Sequence, residues 1–331
     1  MTAEISAAAP SDIASMVDLL MQDAARRHAR DTALWALDGH ARRKVADALA
    51  FALTEENQPF RQKWLVARSG GDLVGIIHTM RLPIPPIYAG KWGDPGLLMP
   101  EAFVTGAAPA GTLEALVDAA EADLRASGAE LLLASFVCGD DWNAALRRRG
   151  YRPLTLYLSK SDLERTPRPA GVRAATEEDI DGIVPRSAEN RAVLHRLDVF
   201  WTPHAEADAR FARWMRQSLA FANRDMLVSG RQEALDGYVI AQPASRLHFP
   251  PAHDISAIGV IDDFFHRQYA DPAETREGGV GALALLRAAE ASFAARGITT
   301  AFVVCPAAWT SKIAALDKAG YGTAMIWMIK R

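Results

Sequence analysis

The run Arg276-Glu277-Gly278-Gly279-Val280-Gly281-Ala282 holds the residue types best suited to gripping an anion. Glycine has no Cβ, so Gly278, Gly279 and Gly281 let the backbone approach a ligand closely and take positive φ. The run follows a predicted strand at about Ala257–His266 and precedes a predicted helix from Gly281 to Ala295, closed by Gly297. A helix start offers unpaired N–H groups and the positive end of the helix dipole, which together suit a pyrophosphate. Glycines at a helix start cost helix stability, so their clustering asks for a reason. A flexible connector is the other reading of the same run. No Gly-Lys-[Ser/Thr] follows, which excludes a Walker loop, and no Gly-x-Gly-x-x-Gly turn follows the first strand, which excludes a dinucleotide fold.

The elements that must position this run appear twice. Asp12-Ile13 is echoed by Asp179-Ile180, Trp64-Leu65-Val66 by Met226-Leu227-Val228, and Pro85-Pro86 by Pro250-Pro251. Cys138 and Trp142 are echoed by Cys305 and Trp309, and Gly150-Tyr151 by Gly320-Tyr321, always in the same order. Such an ordered series marks an internal repeat. It divides the chain into residues 1–160, a Pro-containing linker at 161–170, and residues 171–331. Each half reads as helices first, two short strands, a Pro-rich loop, a strand, a helix, a strand, a helix and a last strand. The strand–helix–strand units require part of the sheet to be parallel. The fold class is therefore mixed α/β, in two tandem units.

Arg276-x-x-Gly279-x-Gly281 fits the [Gln/Arg]-x-x-Gly-x-[Gly/Ala] signature of the GNAT N-acyltransferase superfamily, and Lys318-Ala319-Gly320-Tyr321 before a last strand resembles that family's close. The chain thus resembles a tandem GNAT protein. The topology matches in both halves, the motifs only from about Ala257 to Arg331. The resemblance implies acetyl-coenzyme A as cofactor, with the N–H groups of Glu277, Gly278, Gly279, Val280, Gly281 and Ala282 and the side chain of Arg276 at its phosphates. It also implies that the strand carrying Phe264 and Phe265 pairs by its main chain with the pantetheine arm. The equivalent N-terminal run, Thr105-Gly106-Ala107-Ala108-Pro109-Ala110-Gly111-Thr112, lacks the Arg and the Gly-x-Gly core, and Pro109 removes a donor. The N-terminal copy is thus degenerate at its cofactor loop, while Leu113, Leu116, Val117, Ala120 and Leu124 keep its helix amphipathic.

Acyl transfer to an amine needs a base for the amine, a donor for the developing oxyanion and an acid for the thiolate. Asp262 and Asp263 are the nearest carboxylates and the candidate bases. Adjacent strand positions face opposite ways, so at most one should face the cleft. His266 shares a face with Asp262 and Phe264 if the strand has no bulge, and is the third candidate. Trp201, His204 and Trp214 are the candidate acceptor pocket; an aromatic core beneath the helices explains them equally. The family's usual acid, a Tyr five residues before the closing aromatic, is Leu316 here, and Leu146 in the first half. Cys305 reads as a buried thiol, and no His or Cys pair has metal-ligand spacing, so no metal is expected.

A formal net charge of -3 argues against a nucleic-acid footprint. Two cysteines make no disulfide framework, and no apolar run approaches membrane-spanning length. The expectation is a cytoplasmic monomer or homodimer, binding neither nucleic acid nor membrane, that transfers an acetyl or acyl group to a small-molecule amine. A non-catalytic coenzyme A-binding or sensor protein is the alternative.

Overall fold

A computed structural model describes residues 2–331. The first half runs β1 (Glu4–Ala7), α1 (Ile13–Arg30), α2 (Ala41–Thr54), β2 (Gln62–Ser69), β3 (Asp72–Arg81), β4 (Gly96–Val104), α3 (Thr112–Ala126), β5 (Leu132–Val137), α4 (Asp141–Arg148) and β6 (Arg152–Lys160). After a connection without regular structure the order repeats. It runs β7 (Val172–Ala174), α5 (Ile180–Leu197), α6 (Ala207–Leu219), β8 (Asp225–Arg231), β9 (Ala234–Pro243), β10 (Ile258–His266), α7 (Val280–Ala295), β11 (Thr300–Pro306), α8 (Thr310–Lys318) and β12 (Gly322–Lys330).

Local chemistry accounts for the echoes in the sequence. Asp12 and Asp179 each sit where the first long helix of a half begins, and each carboxylate accepts the N–H three residues upstream, at 2.8 Å from Ala9 and 2.8 Å from Thr176. An arginine from a strand completes each pair, Arg68 on Asp12 and Arg173 on Asp179, both at 2.6 Å. Such a carboxylate satisfies helix-start donors and favours the positive end of the dipole. The apolar stripe of α3 buries Leu116, Val117, Ala120 and Leu124 completely against the sheet. Gly96 is required beneath it, because a Cβ there would lie 2.9 Å from Leu124.

All twelve strands form one sheet, in the order β1-β2-β3-β4-β5-β12-β6-β11-β10-β9-β8-β7. The last strands are exchanged. Strand β12 lies between β5 and β6 of the first half, antiparallel to both, with Met325 opposite Val137 on one side and Tyr157 on the other. Strand β6 lies between β12 and β11, with Leu158 opposite Val303. Each half is therefore completed by the other's last strand. A sequence reading that closes each half with its own strand cannot detect this, because hydrophobic alternation fixes which face is buried but not which neighbour is paired.

The halves also clasp each other through loops. The β3–β4 loop of the first half lies on the α5–α6 connection of the second, with Ala89 N–H donating to Thr202 (2.8 Å) and His204 N–H donating to Ile87 (2.9 Å). The β9–β10 loop returns the contact: Asp38 N–H donates to Ala252 (2.9 Å) and Asp254 N–H to Ala36 (2.8 Å). The two Pro-Pro pairs lie in these reciprocal loops, each opening a turn closed by Tyr88 N–H on the Pro85 carbonyl (3.0 Å) and His253 N–H on the Pro250 carbonyl (3.1 Å), with the second proline's fixed φ suited to that turn.

Candidate active site

Two parallel strand pairs, β4–β5 and β10–β11, are each followed by a gap. In the second half, β10 and β11 pair only from Ile258–Thr300 to Ile261–Val303, and then diverge. A bulge in β10 falls between Val260 and Asp263 against β9. A bulge inserts one residue and breaks the alternation of faces. For this reason Asp262 and Asp263 both line the same cavity, which corrects the expectation that at most one would. Past the bulge, the Phe264 carbonyl faces the gap, whereas the Phe265 carbonyl lies against Gly237 of β9. Of these two residues only Phe264 turns its carbonyl to the gap.

The carboxylates are held differently. Asp263 accepts from Tyr238 Oη at 2.5 Å and from Asn190 Nδ2 at 3.2 Å. Asp262 accepts from Gln242 Nε2 at 2.9 Å and is itself open to the cavity. The protein packed around it, and then the charge of Asp263, push the Asp262 carboxyl up to about 7. Burial raises Asp263 as well. Two neighbouring carboxylates that leave water reluctantly make a proton acceptor poised near neutrality.

No motif in the sequence singles out Lys312. It lies on α8, is 4% exposed, and donates through Nζ to the Phe264 carbonyl at 2.7 Å, between the rings of Phe264 and Trp309. Burial pulls its pKa down. The Lys312 Nζ thus stands in the gap between β10 and β11, close to where an acid is needed and Leu316 offers none. Leu316 is core. Tyr321 donates to Glu290 at 2.8 Å inside that core, and Cys305 is wholly buried with its thiol pushed up to about 12.

The glycine run forms the turn into α7. Glu277, Gly278 and Gly279 have φ of 52°, 62° and 68°, three successive left-handed residues. Successive N–H groups in such a turn make an anion-binding concavity. Within the run, only the Ala282 N–H meets a side chain, Gln268 Oε1 at 3.1 Å, and Gln268 in turn donates to Glu277 at 2.9 Å. A cavity of about 830 Å³ opens beside it, rimmed by Arg231, Arg267 and Arg276, all exposed and without a carboxylate partner among the described residues. Arg231 and Arg267 come from β8 and from the turn after β10, so no local motif could reveal them.

Two other expectations change. His266 lines this phosphate-side cavity and not the carboxylate cavity. Its Nδ1 accepts from Gln268 N–H at 3.2 Å, its Nε2 would lie 2.9 Å from a Cβ on Gly281, and burial lowers its pKa to about 4. The bulge rotates it out of the predicted face. His204 accepts the Glu206 N–H at 3.0 Å and lines neither chamber described below, whereas Trp201 and Trp214 each line one.

The first half has the same frame filled in. Trp35, the counterpart of Trp201, is 2% exposed, packed on Phe249 and His253 at 5.3 and 5.1 Å. Arg27 stacks on Trp35 and donates to the Pro100 carbonyl, closing the gap beyond β4 and β5. The crevice left there measures about 50 Å³, room for little more than water.

No family model matches the chain, and no curated protein matches it by sequence. Solved structures do. It is similar over 99% of its length to a GCN5-related N-acetyltransferase from Sphaerobacter thermophilus, with 15% identity, a TM-score of 0.56 and 95% of that chain covered. It is also similar over 99% of its length to a tandem GNAT protein from the clavulanic acid biosynthesis pathway, with 16% identity, a TM-score of 0.50 and 98% of that chain covered. At such identity the likeness shows the fold: this chain has the tandem GNAT fold.

Proposed function

We propose that the chain is an acyl-coenzyme A-dependent N-acyltransferase with one working site, in the second half, residues 171–331. The observation that carries this reading is the conjunction of a left-handed glycine turn, a splayed strand pair and two adjacent carboxylates, Asp262 and Asp263, lining one cavity. The cradle suits a polyphosphate: Gly278, Gly279, Val280 and Gly281 bring N–H groups to the start of α7, and Arg231, Arg267 and Arg276 surround its mouth. Gln268 is the side chain a phosphate would displace from the Ala282 N–H. Phe264 would offer its main chain to the pantetheine.

Bound acyl-coenzyme A supplies a thioester, whose acyl C–S bond gives way to a C–N bond while the proton lost by the amine is balanced by one gained at sulfur. Asp262 takes the proton from the acceptor ammonium, with Asp263 and Tyr238 fixing its neighbour geometry. Lys312 holds positive charge in the gap and stabilises the departing thiolate. Residues 1–160 act as scaffold and as one wall of the acceptor site, and the protein needs no metal in this reading. The acceptor is a small-molecule amine. The test is transfer from acetyl-coenzyme A to a panel of amines, read as acetylated product by mass. Binding of acetyl-coenzyme A without any product would favour the sensor alternative, for which the missing tyrosine at Leu316 is the motive.

A further inference from the structure

Two chambers of about 310 and 360 Å³ meet at Asp262, and share Pro85, Tyr88, Asn190 and Leu194. One wall comes from the β3–β4 loop of the first half, the other from α5, α6 and β10 of the second. From this junction we infer that the acceptor is an amine carried on a flat aromatic body with no anionic group, seated between the halves with its nitrogen at Asp262. The inference rests on the acyltransferase reading and names its substrate class.

Three observations lead there. First, the walls are aromatic on both sides: Tyr88 and Trp201 tilt together at 5.2 Å, with His248 and Trp327 beyond them, and Phe211 and Trp214 bound the second chamber. Flat rings gain from such walls by offset or edge-on contact beyond simple burial. Second, among the described residues the two arginines of these chambers already face carboxylates: Arg191 is paired with Asp208, and Arg210 with Glu206 and the Pro86 carbonyl, while Lys312 points its Nζ at the Phe264 carbonyl in the gap between β10 and β11. The only carboxylates lining these chambers, Asp262 and Asp263, suit one ammonium and not a polycation. Third, the first chamber is lined chiefly by apolar and aromatic side chains, among them Leu82, Leu133, Leu194 and Phe200, which suits a flat apolar body. The counterpart in the first half is packed solid around Trp35, which confines the site to one side of the pseudo-symmetric pair.

The test uses the full chain and three probes: 2-phenylethylamine, ethylamine and spermidine. Each is titrated calorimetrically without cofactor and assayed with acetyl-coenzyme A. Burying a phenyl ring predicts roughly a hundred-fold preference in kcat/KM for 2-phenylethylamine over ethylamine. Tyr88→Ala in one half and Trp214→Leu in the other should each weaken 2-phenylethylamine binding about tenfold or more and leave acetyl-coenzyme A affinity unchanged. Failure of both variants to move amine affinity, spermidine or ethylamine performing as well as 2-phenylethylamine, or no binding of 2-phenylethylamine by the wild type overturns the inference. Amine binding that responds to both variants in a protein that ignores acetyl-coenzyme A would uphold the pocket and remove the acyltransferase reading instead.

Discussion

Replacing Asp262 by Asn should remove the base and leave the pocket, because Asn keeps the size and can still contact Gln242, which now donates to Asp262 at 2.9 Å. General-base catalysis is worth roughly 10²–10⁴ in rate, so kcat/KM for amine acetylation should fall by that factor. The pH profile gives the sharper test. With the carboxyl at about 7, raised first by the protein packed around it and then by Asp263, the ionised fraction grows from about a tenth at pH 6 to about nine tenths at pH 8. An amine acceptor deprotonates itself only near pH ~10 and adds a steady slope without a bend at neutrality. The wild type should therefore bend at about pH 7, and Asp262→Asn should not. Loss of thioester absorbance is the suitable assay, since exposed Cys138 would react with thiol reagents. Refutation would be a variant within a few-fold of wild type that keeps the bend.

Lys312→Met keeps the volume and removes the ammonium that holds the Phe264 carbonyl. It should lower kcat by about 10- to 100-fold with acetyl-coenzyme A affinity kept, a kcat-against-Kd split that a purely structural lysine would not produce. Trp35→Ala empties the filled counterpart site and should cost about 3–5 kcal/mol in denaturant unfolding without creating a second acetyl-coenzyme A site, since the N-terminal loop has one left-handed residue before its helix, Gly111, where the second half has three; a second site in that variant would show that the first half is merely plugged.

Much of the fold could be read from residue order. The glycine turn and the helix behind it are local, and local signals survive in sequence. The duplicated Asp12 and Asp179 survive because each must cap the same helix start. What escaped detection depends on partners far apart in the chain. The exchange of β6 and β12 is decided by which edges meet, and Leu158 or Met325 would look the same in either pairing. The bulge that turns both carboxylates into one cavity comes from the register of β10 against β9, and nothing in Val-Ile-Asp-Asp marks it. It also carries His266 away from the carboxylates. Lys312, in Thr-Ser-Lys-Ile, resembles any solvent-facing lysine of a short helix until the fold closes over it, the one faint signal being Trp309 three residues before.

Calorimetric titration with acetyl-coenzyme A, on the wild type and on Val280→Asp, bears most directly on the single-site acyltransferase proposed above. Val280 is 71% exposed at the first position of α7 with ordinary helical φ, so an aspartate there is favourable to the helix and repels phosphate. A Gly281 substitution is less clean, because its Cβ would press on His266. The expected result is one binding site per chain in the wild type and none in Val280→Asp, with folding stability equal or higher. Two sites, equal binding by the variant, or no binding by the wild type would contradict a single coenzyme A cradle at Arg276–Ala282.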